Sequence, residues 1–215
     1  MYEKLVDQIT KEVINVIGKS DVKVKSIENK NVKIGISARH VHLSKKHLEI
    51  LFGAGYELTK RKMLMGNQFA ANETVTLVGK KLRSIENVRI LGPTRGETQV
   101  ELSKTDAIFL GSDAPVRLSG DIKGSGEIVI VGPKGTIKIN EGCIISKRHI
   151  HMNKNDAKKF NMTEGTVSVK VKGERAGILE NVDVRIREDF HLEMHIDTDE
   201  GNALGIKNGD YVEII

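Results

Sequence analysis

Tryptophan is absent from this 215-residue chain, cysteine occurs once, and aromatic residues make up only 4% of it. The single Cys143 excludes a disulfide framework and, with the many lysines, fits a reducing intracellular setting. It stands in an apolar run shortly before His149 and reads as a small buried side chain. No apolar run approaches the roughly 18 residues that a membrane span needs, and no signal-peptide pattern opens the sequence, so a soluble protein with no membrane partner is expected. Few aromatics and no long basic block leave no stacking platform of the kind that single-strand binders use, so nucleic acid is not an expected partner. Lys and Arg number 34 against 29 Asp and Glu, a formal charge of +5. That balance favours anionic ligands without naming one.

Against this sparse background one motif stands out. Ser37-Ala38-Arg39-His40-Val41-His42-Leu43-Ser44 returns as Ser146-Lys147-Arg148-His149-Ile150-His151-Met152-Asn153, so the two copies hold four of the seven histidines. In an extended strand residues i and i+2 share a face, and each His-x-His presents two imidazoles side by side. Neutral imidazole is the commonest side-chain ligand for zinc-like metals. The repeat runs on: Glu86-Asn87-Val88-Arg89-Ile90 is echoed by Glu180-Asn181-Val182-Asp183-Val184. Val100 to Asp106 likewise parallels Met194 to Glu200, and Leu110-Gly111 parallels Leu204-Gly205. This alignment sets Glu101 on His195. Each half then offers two histidines and one further metal-capable side chain, the three-ligand set that an open catalytic metal site keeps. A duplication whose polar residues merely cap strand ends accounts for the same pattern.

The chain divides near its start. Leu5, Ile9, Val13 and Ile17 recur every four residues, with Val6 and Val16 widening the stripe, and Gly18 is placed to end an amphipathic helix over residues 1–18. A polar, lysine-rich linker is expected over 19–31. From residue 32 onward the signal is mostly β, with alternation at 32–36, 74–78, 128–131, 136–139, 167–171 and 211–214. Turns fall at Gly92-Pro93, Gly132-Pro133, Lys134-Gly135 and Asn208-Gly209. Short helices are expected over 44–52, with Ser44 as N-cap, and over 153–160 and 198–204. Many short strands with turn glycines predict β-barrels in two related halves rather than a parallel α/β sheet. Arg95, in the turn before Glu101, offers forked donors matched to a phosphate; read alone it is a loop residue.

These segments, together with Gln68-Phe69-Ala70-Ala71-Asn72-Glu73-Thr74, Gly92-Pro93-Thr94-Arg95, Thr98-Gln99-Val100-Glu101 and Glu193-Met194-His195-Ile196-Asp197-Thr198-Asp199-Glu200, resemble the PduL-type phosphate propanoyltransferases. Those enzymes are phosphotransacylases of bacterial microcompartments and some fermenters. The resemblance covers residues 32–215. It implies two interleaved β-barrels, about 39–146 and 32–38 with 147–215, forming a catalytic unit that turns acyl-CoA and phosphate into acyl phosphate and CoA. Carried onto matching positions, it implies two zinc ions held by His40, His42, Glu101, His149, His151 and His195. Arg95 would hold phosphate, and Ser37, Lys62, Arg89, Leu91 and Asn202 would lie near the CoA. A cytoplasmic or microcompartment setting, a homo-oligomer, and docking of residues 1–18 to shell or core proteins are further expectations. With no Cys or Ser in a triad-like setting, direct transfer is expected rather than an acyl-enzyme. A dizinc hydrolase and a non-catalytic metal-stabilised assembly module are the competing readings.

Overall fold

Val and Ile alternate with polar residues along most of the chain beyond Asn31, a period-2 pattern that buries one face of each strand. The structure, a computed structural model, describes residues 2–17 and 30–215. It opens with α1 (Tyr2–Ile17), β1 (Asn31–Ser37), β2 (His40–His42), α2 (Lys45–Phe52), β3 (Lys60–Met63), β4 (Phe69–Val78), β5 (Ser84–Gly92) and β6 (Gln99–Leu102). Next come α3 (Lys104–Leu110), β7 (Val116–Arg117), β8 (Gly126–Val131), β9 (Thr136–Ser146), β10 (His149–Met152) and α4 (Lys154–Phe160). The chain ends with β11 (Gly165–Val171), β12 (Gly177–Ile186), β13 (Glu193–Asp197), α5 (Thr198–Leu204) and β14 (Tyr211–Ile214).

Two six-stranded barrels result, as the duplicated pattern predicts. One closes in the order β1-β13-β10-β12-β11-β14. In the other, β4-β5-β2-β6-β9 is closed by β8, which pairs with both β9 and β4, while β3 and β7 lie on its margins. Corresponding strands pair with the same sense in each barrel. The strand in front of each His-x-His belongs to the opposite barrel: β1 runs parallel to β13, and β9 runs parallel to β6. The barrels are therefore interleaved.

Each barrel has its own core. Val41, Ile90, Val100, Leu77 and Ile130 fill the first; Ile34, Ile150, Met152, Met194 and Val169 fill the second. Capping fixes the short helices, since side-chain oxygens satisfy backbone N–H groups that the first turn leaves free. Ser44 caps α2, Asn153 caps α4, and Asp197 with Glu200 forms a capping box on α5. Helix α3, capped by Ser103 and ended by left-handed Gly111, was not among the expected helices, nor was the fully exposed β3. Both halves place an Asn in the left-handed region inside the same strand, Asn87 at φ 58° and Asn181 at φ 53°. Asn tolerates this conformation better than most residues.

At the N-terminus α1 leaves Leu5, Val6, Ile9 and Val13 half-exposed. Gly18 and most of the expected linker lie outside the described residues. The linker's last residues are part of the barrel: Asn31 opens β1, and the Lys30 carbonyl accepts from Ile214 N at 3.0 Å. Among the described residues no helix is long and apolar enough to cross a membrane.

Candidate metal centre and anion site

The barrel interiors take Val41, Ile90 and Val100 in one half and Ile150, Val184 and Met194 in the other. Pleating therefore turns His40, His42 and Glu101, and likewise His149, His151 and His195, to the outer wall of each barrel. His40, His42, Glu101, His149 and His151 are nonetheless buried. Within each wall the ladder register builds a group of three. His40 pairs directly with Glu101 across β2 and β6, and His149 pairs directly with His195 across β10 and β13.

Ligand-capable atoms of each group lie within 4.8 Å of one another. His40 Nε2 and His42 Nε2 stand 3.5 and 3.8 Å from Glu101 Oε1. In the other group the ring centroids of His149 and His151 are 4.5 Å apart, and those of His151 and His195 are 4.9 Å apart. The first histidine of each motif is oriented alike: His40 Nδ1 lies 2.9 Å from the Ala38 carbonyl and His149 Nδ1 2.8 Å from that of Lys147. Such a bond fixes the tautomer and frees Nε2, as in metal-ligating histidines. Among the described residues His42 Nδ1 and His151 Nδ1 are buried without a hydrogen-bond partner. An orphaned buried nitrogen is costly unless something binds the ring. Nitrogen and oxygen atoms spaced in this way fit a four-coordinate ion, whose ligands stand about 3.4 Å apart when bonds are about 2.1 Å.

Electrostatics separates the two groups. Burial pushes His42 down to about 3 and His149 down to about 4, and it lowers His151 as well. These rings are neutral at pH 7, the form that ligates metal. Burial alone would raise Glu101, but the charges and hydrogen bonding of His40 hold its carboxyl well below the usual range. His40, against the pull of burial, is raised by the same carboxylate.

Arg95 lies beside the first group. Its N–H donates to the Leu43 carbonyl at 2.9 Å, and its guanidinium reaches Ser119 Oγ at 3.1 Å and Gln68 Oε1 at 3.5 Å. Burial lowers it and Glu101 raises it. The remaining predicted positions fall into two sets. Lys62 pairs with Ala70 and Ala70 with Leu91, so Lys62 and Leu91 end one row across β3, β4 and β5. Arg89 pairs with His40 in the next row, and its guanidinium donates to the Ala71 and Asn72 carbonyls at 3.1 and 2.6 Å. Ser37 and Asn202 belong to the other barrel: Ser37 is opposite Asp197 on β13, and Asn202 is exposed on α5.

Sequence reasoning missed several neighbours. Gln99 Nε2 donates to Glu101 Oε1 at 2.6 Å and to Ser119 Oγ at 2.9 Å, tying Glu101 to the residue that also holds Arg95. The equivalent position in the other half is Glu193, whose Oε2 lies 3.1 Å from His195 Nε2. Phe190 stacks on His151 at 4.1 Å. Gly35 leaves room for His195, because a Cβ there would stand 3.0 Å from its Cδ2. Arg39 to Asp106 (2.8 Å) and Arg148 to Glu200 (2.5 Å) are matching ion pairs that tie each motif to the helix following the third ligand-capable residue. The offset of Gln99 from Glu101 and of Glu193 from His195 is the signal the repeat alignment offered.

Fold and site define a class: a duplicated double-barrel protein with paired three-ligand groups and a guanidinium beside one of them, suited to an anionic substrate. Residues 33–207 match the sequence model of phosphate propanoyltransferases. Relatives with that name include a Lachnoclostridium phytofermentans protein, 55% identical over 216 residues and all of both chains. Another, from Thermotoga maritima, is 53% identical over 85% of this chain and 88% of its own, and one from Priestia megaterium is 50% identical over 98% and 95%. The chain belongs to the phosphate propanoyltransferase family and is a phosphate acyltransferase.

Proposed function

We propose that this enzyme converts a short-chain acyl-CoA, propionyl-CoA or acetyl-CoA, and phosphate to acyl phosphate and CoA, reversibly, at a centre of two zinc ions. The observation that carries the reading is the pair of three-ligand groups with Arg95 beside one of them. Sets of His, His, Glu and of three His are borderline donors suited to zinc, and each leaves a fourth position open. When bound, zinc supplies Lewis-acid polarisation of the thioester carbonyl and offsets developing negative charge.

In this reading His40, His42 and Glu101 hold one ion, and His149, His151 and His195 the other. Arg95 takes two phosphate oxygens in its fork, which orients a third toward the thioester carbon and offsets repulsion from the anionic CoA. A bond forms between that oxygen and the carbonyl carbon, the C–S bond breaks, and CoA departs as thiolate. Ser37, Lys62, Arg89, Leu91 and Asn202 serve the CoA. Direct transfer is favoured over an acyl-enzyme because Cys143 is fully buried in a barrel core, where burial pushes its thiol up to about 11.

Thiol release from propionyl-CoA and acetyl-CoA, followed with and without phosphate, tests the reading. Release should require phosphate and yield acyl phosphate in equal amount. Phosphate-independent release would mean that the centre is a hydrolase. Arg95→Ala should raise the phosphate KM or abolish turnover with metal content and CoA binding intact, and Arg95→Lys should restore activity only in part. We further propose that α1 docks the enzyme, as a homo-oligomer, onto shell or core proteins of a bacterial microcompartment; its half-exposed apolar stripe supports this.

A further inference from the structure

The two halves match position for position around the centre except where their chemistry diverges. Arg89 pairs with His40 and Asp183 with His149, so two residues further on Leu91 and Arg185 are equivalent. Arg185 pairs directly with His151 and so shares the outer wall that carries His149 and His195. A leucine in one barrel has become a cation in the other.

This cation has no counter-ion among the described residues. Among the described residues, no carboxylate lies within ion-pair reach of Arg185 and no hydrogen bond engages its guanidinium, although it is only partly exposed. Its neighbours on the same segment are committed: Arg187 is bound to Asp189 at 3.1 Å, and Asp183 is paired with Lys147. What Arg185 touches is aromatic. Its guanidinium lies 5.9 Å from the Phe190 ring centroid, and Phe190 stacks on His151. An arginine laid beside a ring keeps its N–H edge free and has lost part of its hydration. It also lies close enough to Arg95, from the opposite barrel, for its charge to lower that guanidinium. Two like charges held near each other, one of them unpaired, cost free energy that a dianion between them would reverse.

We propose that Arg185 is a second phosphate-binding guanidinium, which grips the phosphoryl group from the C-terminal barrel while Arg95 grips it from the other. The inference rests on the phosphate role of Arg95 given above. Arg95 supplies a fork from the side of His40, His42 and Glu101, and Arg185 one from the side of His149, His151 and His195. The phosphoryl group is thereby fixed against both, and its orientation is set by two planes instead of one.

Titration calorimetry of inorganic phosphate into the metal-containing protein tests this, using wild type, Arg95→Ala, Arg185→Ala and Arg185→Lys, with metal content and acyl-CoA KM measured on each. Arg185→Ala should weaken phosphate binding roughly ten- to hundredfold, as loss of a charged donor does, with acyl-CoA KM changed less than twofold. Arg185→Lys should fall between; if Arg185→Ala loses metal, this variant decides. Phosphate affinity within twofold of wild type in both Arg185 variants, with Arg95→Ala impaired, overturns the role of Arg185 and leaves the phosphotransacylase reading standing. No effect from any of the three overturns both. A rise in acyl-CoA KM alone assigns Arg185 to the phosphates of CoA and also overturns the proposal.

Discussion

His40 lies directly opposite Glu101 across the β2–β6 ladder, in the register in which His149 lies opposite His195 across β10–β13. One backbone geometry therefore presents two donor sets, one carrying a carboxylate and one purely imidazole. The difference is electrostatic. Glu101 keeps a negative charge and draws His40 with it, while His149 and His151 in the other group are held neutral at pH 7 by burial. A cation held by the first group would be partly neutralised by the Glu101 carboxylate, whereas the second group supplies only imidazole donors.

Metal content should follow these groups. The purified protein should carry about two zinc-class ions per chain, and His42→Ala or His149→Ala should lose one ion and nearly all turnover together. Removing one of three imidazoles from an open site sharply reduces affinity. Elemental analysis that finds full occupancy in both variants would refute the ligand assignment.

Gly35 offers a more selective probe. It pairs with His195, and a Cβ would stand 3.0 Å from His195 Cδ2 and 3.3 Å from Glu193 Cδ. Gly35→Ala should therefore tilt His195 and weaken metal binding at the all-histidine group roughly tenfold or more, as displaced ligand supports do. The His40, His42 and Glu101 group should keep its ion. Competition with a chelator reads both affinities; equal values before and after the substitution would show that His195 can move without consequence.

How far the sequence reached depended on whether a feature was local. Helices α2, α4 and α5 were legible because Ser44, Asn153 and Asp197 stand at their caps and left-handed Asn161 and Gly205 end two of them. Helix α3 was legible too, had the match of Ser103 to Asp197 been followed through. Strand β3 was not, since all of Lys60–Met63 is exposed and no alternation marks it. The start of β4 hides for another reason: Glu73 occupies a buried position, satisfied by Tyr56 Oη, Thr59 N and Thr59 Oγ1. The grouping of Glu101 with His40 and His42 could be anticipated from duplication alone. The roles of Ser119 and Phe190 could not, because they depend on cross-strand register and loop packing that a single strand's pattern does not encode.

Acidity should unfold the metal-free protein early. His42 and His149 sit below their ordinary value of 6.5, at about 3 and about 4, and His151 is also lowered. Below pH 6.5 the unfolded chain binds protons on these rings and the folded chain does not. Each ring then removes up to about 1.4 kcal/mol of stability per pH unit until its folded value is reached. His40 acts in the opposite sense: its folded value is raised, so its contribution is present below pH 6.5 and lost as pH rises. The contribution of Glu101, whose folded value is lowered, is complete above about pH 4.5 and is lost progressively on further acidification. Three depressed histidines outweigh one raised, so the urea midpoint should fall clearly between pH 7 and pH 5. A midpoint that holds steady over that interval would show that the rings titrate normally.

Helix α1 should be separable from catalysis. None of the residues grouped around the centre belongs to it, and its Leu5, Val6, Ile9 and Val13 are 54%, 61%, 53% and 49% exposed. A cut before Lys30 respects the barrel, because the Lys30 carbonyl takes a hydrogen bond from Ile214 N. Deleting residues 1–29 should therefore leave kcat and both KM values within about twofold, since no residue proposed to touch substrate or metal is removed. Fusing residues 1–18 to a fluorescent reporter should recruit it to microcompartments in a host that makes them, and Leu5→Lys with Ile9→Lys should abolish recruitment by breaking the apolar stripe. If the deletion instead removes most of the turnover, α1 belongs to the catalytic unit and its apolar face serves the barrels rather than a partner.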